Sequence, residues 1–293
     1  MRPWLKYLGN PILSPREGEY NTSFTSVVEY EGVYHAFYYY HLHPSWQFRV
    51  IGHAISMDGL KWIRDYENNP ILGSGSGWDS RGVSIPMVWR EGSKWYMLYR
   101  GQAPYRIGLA ISSKPEGPWD RRLKPVIHEA EEGWGIIKVD GAYYLYTNNT
   151  GGERKIYLWA SENLTDWRRV SQEPIWSGGR FCAFVFKRDQ LYYALVPHYT
   201  IGYGYSEIEL YSCPNQIFSS QERHYLGIAI AHGGEGSWDD HNLDTPFVLT
   251  DTIERSSFTA SRDKLWCYYG GQQAGIWRTG VTIEDNIDEV LKS

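Results

Sequence analysis

The chain has 293 residues, of which 42% are hydrophobic and 16% aromatic, and its 30 glycines are spread along the whole length. This mixture is typical of short strands joined by many turns. The net charge of −5 argues against an extended basic surface, so we expect neither nucleic acid nor a membrane as a partner. The start, MRPWLKYLGNPIL, lacks the apolar stretch of a signal peptide, and a cytoplasmic location is therefore expected.

The three cysteines predict neither a disulfide framework nor a zinc site. Cys182, Cys213 and Cys267 lie far apart and show no C-x-x-C spacing. We expect them to be reduced core residues. No motif calls for a metal or another cofactor.

A two-part unit recurs along the chain, with an aromatic-rich segment followed, after a polar loop, by a segment that starts with Ile. The first parts are VYHAFYYY (33–40), KWYMLYRG (94–101), AYYLYTNN (142–149), LYYALVPH (191–198) and KLWCYYGG (264–271). The second parts are IGHAIS, IGLAIS, IYLWAS, IELYSC and IWRTGVT. A strand-rich period of about 50 residues is typical of propeller blades. The sequence therefore predicts an all-β fold, a five-bladed β-propeller that forms a single domain over 1–293.

Each blade is predicted to contain four antiparallel strands, A to D. Acid-Gly pairs such as Glu31-Gly32 separate an apolar strand A from the aromatic strand B, which is a strong hairpin signal. The Ile segment is strand C, its following Trp is expected to pack between neighbouring blades, and extended pieces such as NNPIL supply strand D. In blade 5, DTPFVLT and RSSFTAS compete for strand A. The N-terminal WLKYL is expected to close the ring as a D strand, and EDNIDEVLKS to form one or two helical turns.

Chemically active side chains are predicted to gather at one face of the propeller, because the D-to-A and B-to-C connections share one end of the barrel. The B-to-C loops contain His41, His43, Trp46, Arg100, Tyr105, His198, Tyr199, Tyr203 and Gln272. The starts of the A strands contain Glu19, Asn21, Asp79, Arg81, Glu131, Glu132, Arg180, Trp238, Asp239, Asp240, His241 and Asp244. Since strand A lines the channel, the second set should converge on the axis.

Several carboxylates around a funnel are what the hydrolysis of a glycosidic bond needs. One acid protonates the leaving oxygen while another carboxylate activates water or attacks the anomeric carbon. Crowding raises the pKa of one carboxyl and leaves another ionised. Aromatic side chains on this face, Trp46, Tyr105, Tyr199, Tyr203 and Trp238, are candidates for stacking on sugar rings, although ordinary packing would explain each of them as well.

The candidate residues also have structural alternatives. Asp79 and Asp239 both follow Trp and could cap their connections, whereas Glu131 and Glu132 lie in a less stereotyped loop with two glycines. Arginines on this face, Arg81 and Arg180, could pair with carboxylates or hold an anion such as phosphate or a uronate. The histidines His41, His43 and His198 could bind hydroxyls, phosphate or a metal.

The sequence resembles the five-bladed propeller glycosidases of glycoside hydrolase families 43, 32, 68, 117 and 130. The resemblance covers essentially the whole chain and rests on A-x-S-x-D-G-x-x-W with N-P-I-L, on W-D with S-x-P-x-V, and on KLWCYYGG. The ending DKLWCYYGGQQAGIWRTGVTIED is most similar to family 130, the mannoside phosphorylases and hydrolases, whereas the first blades are nearer to families 43 and 32.

In families 43 and 32 the resemblance implies an Asp at the start of blades 1 and 2 and a Glu at the start of blade 3. Asp79 matches in blade 2 and Glu132 or Glu131 in blade 3, but blade 1 reads GEYNTSF, with Glu19 and Asn21 where Asp is expected. This departure leaves three alternatives. Glu19 acts as the base, an acid from blade 5 such as Asp240 or Asp244 is used instead, or the chain has lost catalysis. The family 130 pattern, in which phosphate attacks, would tolerate the missing Asp.

The sequence thus predicts a glycoside hydrolase for an oligo- or polysaccharide, with Glu132 as acid and Glu19 or Asp79 activating water. Three alternatives remain at this point. They are a glycoside phosphorylase, a non-catalytic carbohydrate-binding propeller, and a kelch-like interaction scaffold.

Overall fold

The computed structural model describes residues 1–44, 48–64, 67–102, 104–129, 131–149, 153–200, 205–255 and 264–291. Five antiparallel sheets follow one another along the chain and form a five-bladed β-propeller, as the sequence predicted. Blades 1 to 4 have four strands each and blade 5 has three.

The elements are numbered in chain order. Blade 1 is β1 (Thr22–Tyr30), β2 (Val33–His41), β3 (Arg49–Ser56) and β4 (Ile63–Arg64). Blade 2 is β5 (Val83–Glu91), β6 (Lys94–Gly101), β7 (Arg106–Ser112) and β8 (Asp120–Arg121). Blade 3 is β9 (Glu131–Val139), β10 (Ala142–Asn149), β11 (Ile156–Ser161) and β12 (Arg168–Arg169). Blade 4 is β13 (Phe184–Arg188), β14 (Leu191–Tyr199), β15 (Ser206–Cys213) and β16 (His224–Ile230). Blade 5 is β17 (Asn242–Val248), β18 (Leu265–Gln273) and β19 (Ile276–Glu284), followed by helix α1 (Ile287–Leu291).

In blades 1 and 3 an acid-Gly turn joins the first two strands, and both turn residues adopt positive φ. Glu31 and Gly32 have φ of 53° and 77°, and Asp140 and Gly141 have 49° and 84°. Two consecutive positive φ values give a turn whose twist matches the flanking strands. These tight hairpins form the face of the propeller opposite the long loops.

The N-terminal segment takes the fourth place in blade 5. Bridges join Lys6 to Thr282 and Leu13 to Thr279, and the amide of Tyr7 donates to the carbonyl of Val281 at 3.0 Å. The segment pairs with β19 through isolated bridges, so among the described residues blade 5 has three regular strands and this irregular fourth one. Strand A of this blade is β17, which contains DTPFV, while 256–261 of the competing RSSFTAS lies outside the described residues.

Aromatic residues fill the spaces between blades. Trp62 of blade 1 packs 4.9 Å from the ring of Phe24 and 6.1 Å from that of Tyr268 in blade 5. Trp119 of blade 2 lies 6.1 Å from Phe37 of blade 1. The Trp that follows strand C therefore packs between blades, as predicted. All three cysteines are buried and free, and no helix in the described ranges has the length and apolar character needed to span a membrane.

The first strand of four blades bends where it reaches the long-loop face. Register shifts occur between Phe24 and Ser26, between Ser84 and Met87, opposite the Tyr146–Thr147 step, and between Asp244 and Phe247. A bulge turns a strand and re-aims its side chains. At the opposite face, Ile253 and Arg255 accept backbone hydrogen bonds from Lys138 and Lys187, so this segment lies across the ends of β9 and β13.

Candidate active site

A cavity of about 270 Å³ opens at the axis on the long-loop face. Its walls come from the starts of the first and third strands and the ends of the second strands, and all five blades contribute. We call it the axial cavity; it is lined by Tyr39, Arg49, Ile85, Arg100, Glu132, Trp134, Arg154, Phe181, Tyr199, Asn242, Asp244, Gln272 and Trp277.

Glu132 is held at the start of β9 by a chain of hydrogen bonds. Trp134 Nε1 donates to Asn148 Oδ1 at 2.8 Å, and Asn148 Nδ2 donates to Glu132 Oε2 at 3.3 Å. The residue between Glu132 and Trp134 is Gly133, where a Cβ would lie 2.8 Å from Met87 Cε. A side chain at this position would have to displace that methyl group, and the bulge places Glu132 at the cavity with only 8% of its surface exposed.

Two arginines from blades 1 and 2 flank Glu132. Arg100 forms an ion pair with Glu132 Oε1 and stacks 4.5 Å above the ring of Tyr105. Arg49 lies 5.5 Å above the ring of Tyr39. Burial and, to a lesser extent, repulsion from the neighbouring Arg49 together lower the pKa of Arg100 to about 9. The two arginines are therefore close enough for their charges to repel each other.

Asp244, at the start of β17, is the second carboxylate of the axial cavity. It is 6% exposed, and it accepts hydrogen bonds from the Thr245 amide at 2.7 Å and the Tyr199 hydroxyl at 3.3 Å. The thiol of Cys182 also donates to Asp244, with Sγ 3.4 Å from Oδ1. Thr245 has a φ of 47° in the bulge, a strained value that functional sites often keep. Burial raises the pKa of Asp244 to about 6.

Arg154 packs against two aromatic rings beside Asp244. Its guanidinium lies 3.9 Å from the ring centre of Tyr199 and 4.7 Å from that of Phe181. Its positive charge lowers the pKa of Asp244, which opposes the larger effect of burial. Tyr199 thus contacts Arg154 with its ring and Asp244 with its hydroxyl.

His41 lies behind this wall. Its ring is fully buried and stacks 5.9 Å from the ring of Tyr39. Burial lowers its pKa to about 3, and Arg49 and Arg100 add to the effect. His41 is consequently neutral at physiological pH and cannot offset a negative charge in the cavity.

Three other candidate acids are bound within their own blades, away from the axial cavity. We call Glu19, Asp79 and Asp239 the peripheral acids. Asp79 accepts from Arg121 at 2.8 Å and from the Tyr99 hydroxyl at 3.1 Å.

The other two peripheral acids repeat the arrangement seen at Asp79. Asp239 accepts from Lys6 at 2.6 Å and from the Tyr269 hydroxyl at 3.0 Å. Glu19 pairs with Arg64 and accepts from the Arg16 amide at 3.0 Å. In each blade the cation comes from the outermost strand, so these acids tie the blade together across its width.

Five residues that the sequence singled out line the axial cavity: Arg100, Glu132, Tyr199, Asp244 and Gln272. Asn21 is buried and accepts from the Trp277 amide at 2.8 Å. Arg180 and His198 both bind Glu209 at 3.0 Å.

The remaining candidates lie on the surface or outside the description. His241 pairs with Asp240 at 3.1 Å, and His43 and Arg81 are exposed. Trp46, Tyr203 and the side chain of Glu131 lie outside the described residues. In the part of the chain that the structure covers, no cluster of three or more His, Cys, Asp or Glu could hold a metal ion.

Sequence reasoning missed Arg49, Arg154, Phe181, Asn242 and Trp277. Arg49 and Arg154 both lie at the start of a third strand or just before it, after loops that read HLHPSWQF and TNNTGGE. This shared position was the available signal. Phe181 and Trp277 carried none, because aromatic residues are frequent throughout the chain.

Comparison with known proteins identifies the fold. No family model matches the sequence, and the search of curated proteins gives no match. A proposed glycoside hydrolase from Bacteroides ovatus ATCC 8483 has a similar structure, with a TM-score of 0.69, 19% identity, and coverage of 98% of this chain and 97% of that one.

Two further solved structures are also similar. The catalytic domain of the Coprinopsis cinerea GH62 α-L-arabinofuranosidase gives a TM-score of 0.70 at 12% identity, covering 97% and 98% of the two chains. A third structure gives a TM-score of 0.71 at 15% identity, covering 96% of this chain and 93% of that one. It is described with the GH130 family of mannoside phosphorylases, which contains glycoside hydrolases that target β-1,2 mannosidic linkages in Candida mannan. The chain therefore has the five-bladed fold of glycoside hydrolase propellers.

Proposed function

We propose that this protein is a glycoside hydrolase that cleaves an oligo- or polysaccharide in the axial cavity, with Glu132 and Asp244 as its catalytic carboxylates. The observation that carries the proposal is that both lie in one cavity in contrasting surroundings. Glu132 is ion-paired to Arg100, while Asp244 is buried with a raised pKa. Two carboxylates in unlike environments are the arrangement that divides acid and base roles.

In this mechanism Asp244 is the general acid. A pKa of about 6 leaves part of the population protonated near neutral pH, so Asp244 can donate its proton to the glycosidic oxygen as the bond to the anomeric carbon breaks. Tyr199 and the Thr245 amide keep its oxygens in place. Asp244 then carries the negative charge left by the transferred proton.

Glu132 is the second carboxylate, and it forms an ion pair with Arg100. It either removes a proton from an attacking water or attacks the anomeric carbon itself. These routes give opposite configurations in the first-formed product. Trp134, Phe181 and Trp277 add aromatic surface to the cavity for the apolar faces of sugar rings.

This assignment differs from the one drawn from the sequence. There, Glu132 was the acid and Glu19 or Asp79 the base. Glu19 and Asp79 each form an ion pair with a cation of their own blade, and neither lines the axial cavity. Asp244, which the sequence offered as an acid borrowed from blade 5, has the burial that a general acid needs.

The solved glycoside hydrolase structures with this fold support carbohydrate as the substrate class. The test is incubation with a panel of arabinosides, mannosides, xylosides and galactosides, followed by chromatography of the products. Proton NMR of the first product then reports retention or inversion. If no member of the panel is cleaved, the proposal is wrong.

A phosphorylase is the second candidate, and the three arginines of the axial cavity favour it. Arg49, Arg100 and Arg154 offer donors that phosphate accepts well. Adding inorganic phosphate to the same reactions separates the two activities. A phosphorylase releases a sugar 1-phosphate and requires the added phosphate, whereas a hydrolase releases free sugar with or without it.

A further inference from the structure

The two carboxyl oxygens of Asp244 have unlike partners. Oδ1 accepts from the amide of Thr245 at 2.7 Å and from the thiol of Cys182 at 3.4 Å. Oδ2 accepts from the hydroxyl of Tyr199 at 3.3 Å. Thr245 and Cys182 are 4% and 1% exposed, whereas Tyr199 lines the axial cavity. Oδ1 is therefore directed into the protein, and Oδ2 lies on the side of the cavity.

The thiol of Cys182 is held in place by packing between blades. It belongs to a buried cluster to which blades 1, 2 and 3 contribute Tyr39, Ile85 and Trp134. On one side of Cys182, the amide of Phe181 donates to the carbonyl of Pro197 at 3.1 Å. On the other side, a Cβ at Gly135 of β9 would collide with the carbonyl oxygen of Ala183, so the two backbones are in close contact. The position of Sγ is thus fixed by the closed ring.

The partners of Oδ1 decide which oxygen of Asp244 holds the proton. A carboxyl oxygen has two lone pairs, and a backbone N–H can only donate. Burial raises the pKa of the Cys182 thiol well above its ordinary value, so the thiol also stays a donor. Both lone pairs of Oδ1 are then in use. Among the contacts in the described ranges, Tyr199 uses one lone pair of Oδ2, and the other is left for a proton.

We propose that Cys182 is a positioning residue that keeps Oδ1 of Asp244 as an acceptor and makes Oδ2 the oxygen that carries and delivers the proton. The inference rests on the proposed function, because it concerns the general acid of the same site. As the O–H bond at Oδ2 breaks, the proton bonds to the glycosidic oxygen and the electron pair stays on the carboxylate. The bonds from Thr245 and Cys182 to Oδ1 then become charge-assisted and stronger.

The other ionisable groups around Asp244 do not titrate where it does. In the described ranges they include Tyr39 of β2, Tyr199 of β14 and Arg154, which precedes β11. Burial raises the pKa of Tyr39 to about 12 and that of Tyr199 well above its ordinary value, and arginine stays charged at neutral pH. Glu132 lines the same cavity from β9, and the variant Asp244→Asn separates its titration from that of Asp244.

The first test is infrared spectroscopy of the S–H stretch in the full chain as a function of pH, which needs no substrate. Near pH 5 the Cys182 band should lie close to that of Cys267, whose thiol donates to the carbonyl oxygen of Tyr268, because Oδ1 of the protonated acid is also a carbonyl oxygen. As the pH rises through about 6, the band should move to lower frequency, since a thiol donates more strongly to a carboxylate. A band that does not move overturns the inference, and so does a free-thiol band at low pH, which would place the proton on Oδ1.

Variants assign the bands and identify the titrating group. Cys213→Ala and Cys267→Ala should each remove one band and leave the movement of the Cys182 band unchanged, because the thiols of Cys213 and Cys267 donate to amide oxygens that do not titrate. In Asp244→Asn the Cys182 band should no longer depend on pH. A band that still moves in this variant assigns the titration to another group and overturns the inference.

Cys182→Ala extends the test to catalysis. Burial raises the pKa of Asp244 and the thiol opposes this effect, so without the thiol the pKa should rise further. The fall of kcat/KM should then move to higher pH by about half a pH unit, since a thiol is a weak donor. Cys267→Ala is the matched control and should leave the profile in place. An equal loss of rate at every pH would indicate a structural role only and overturn the inference.

The outcomes separate this inference from the proposed function. A moving S–H band without cleavage of any glycoside supports the link between Cys182 and Asp244 and contradicts the hydrolase. Cleavage with an S–H band that is independent of pH does the reverse. If Cys182→Ala fails to fold, the bands of the wild type and of Asp244→Asn still decide.

Discussion

The axial pair, Glu132 and Asp244, and the peripheral acids, Glu19, Asp79 and Asp239, lie on the same face but are held in different ways. Each peripheral acid finds its cation within its own blade. Glu132 of blade 3 instead binds Arg100 of blade 2, and Asp244 of blade 5 accepts from Tyr199 of blade 4. Contacts within a blade stabilise that blade, whereas contacts between blades build a site that exists only once the ring is closed.

The largest expected effect comes from removing the proton donor. Asp244→Asn should lower kcat/KM by about a thousandfold, within the range measured for general acids, because Asn cannot donate a proton to the leaving oxygen. The measurement is steady-state hydrolysis of the best substrate, with circular dichroism to confirm folding. Asp79→Asn is the matched control and should stay within a few-fold of the wild type. Equal losses in both variants would erase the distinction between the two groups of acids.

The pH dependence of stability sharpens the comparison. The pKa of Asp244 rises from 3.8 to about 6 on folding, so the folded protein binds more protons than the unfolded chain between these values. Stability is therefore lost as the pH rises through this window, by up to about 3 kcal/mol for a shift of this size. In urea titrations, the unfolding free energy of Asp244→Asn should rise relative to that of the wild type from pH 4 to pH 6.5, and the difference should then stay constant.

The pH dependence of activity should also be determined by the carboxyl group of Asp244. Because the protonated form of Asp244 is the active one, kcat/KM should fall as the pH rises through about 6. A rate that stays constant from pH 5 to pH 8 would contradict the assignment of Asp244 as acid.

A smaller effect is expected when a peripheral acid is removed. Asp79→Asn leaves Arg121 without its carboxylate and weakens the bond from Tyr99, which should cost about 2 kcal/mol of unfolding free energy. Asp239→Asn should behave alike, because Lys6 and Tyr269 surround it in the same way. Urea denaturation provides the measurement. An unchanged denaturation midpoint in both variants would argue against a structural role.

The smallest effect is expected at Asn148, which orients Glu132 without contacting substrate. Asn148→Ala removes the link between Trp134 and Glu132, and kcat should fall about tenfold with little change in KM, since a loosened carboxylate reacts less often from the right position. Asn148→Ser, which retains one donor, should lie between alanine and the wild type. A rise in KM at constant kcat would instead place Asn148 in substrate binding.

The sequence predicted the fold well because a blade repeats. Acid-Gly turns, aromatic second strands and the Trp between blades recur along the chain, and each is a local pattern that needs no knowledge of the ring. It also placed Glu132 and Asp244 on the face where the axial cavity opens, since loop order in a four-stranded blade decides which connections meet.

Selecting the site within that face was harder. Asp79 and Asp239 follow Trp in a recurring pattern that suggests a functional site, yet in the structure both aspartates form contacts within their own blades. Asp244 and Arg154 stand out only through their contacts with Tyr199, which belongs to a different blade from either of them, and through their position at the axis. No short stretch of sequence contains that information.

The bridges between Lys6 and Thr282 and between Leu13 and Thr279 also constrain biosynthesis. The residues that complete the last blade leave the ribosome before any strand of the five sheets, and their partner strand β19 exists only after all the other strands have been made. The earlier blades can assemble during translation. The closed ring, and with it the axial cavity, can form only after β19 has emerged.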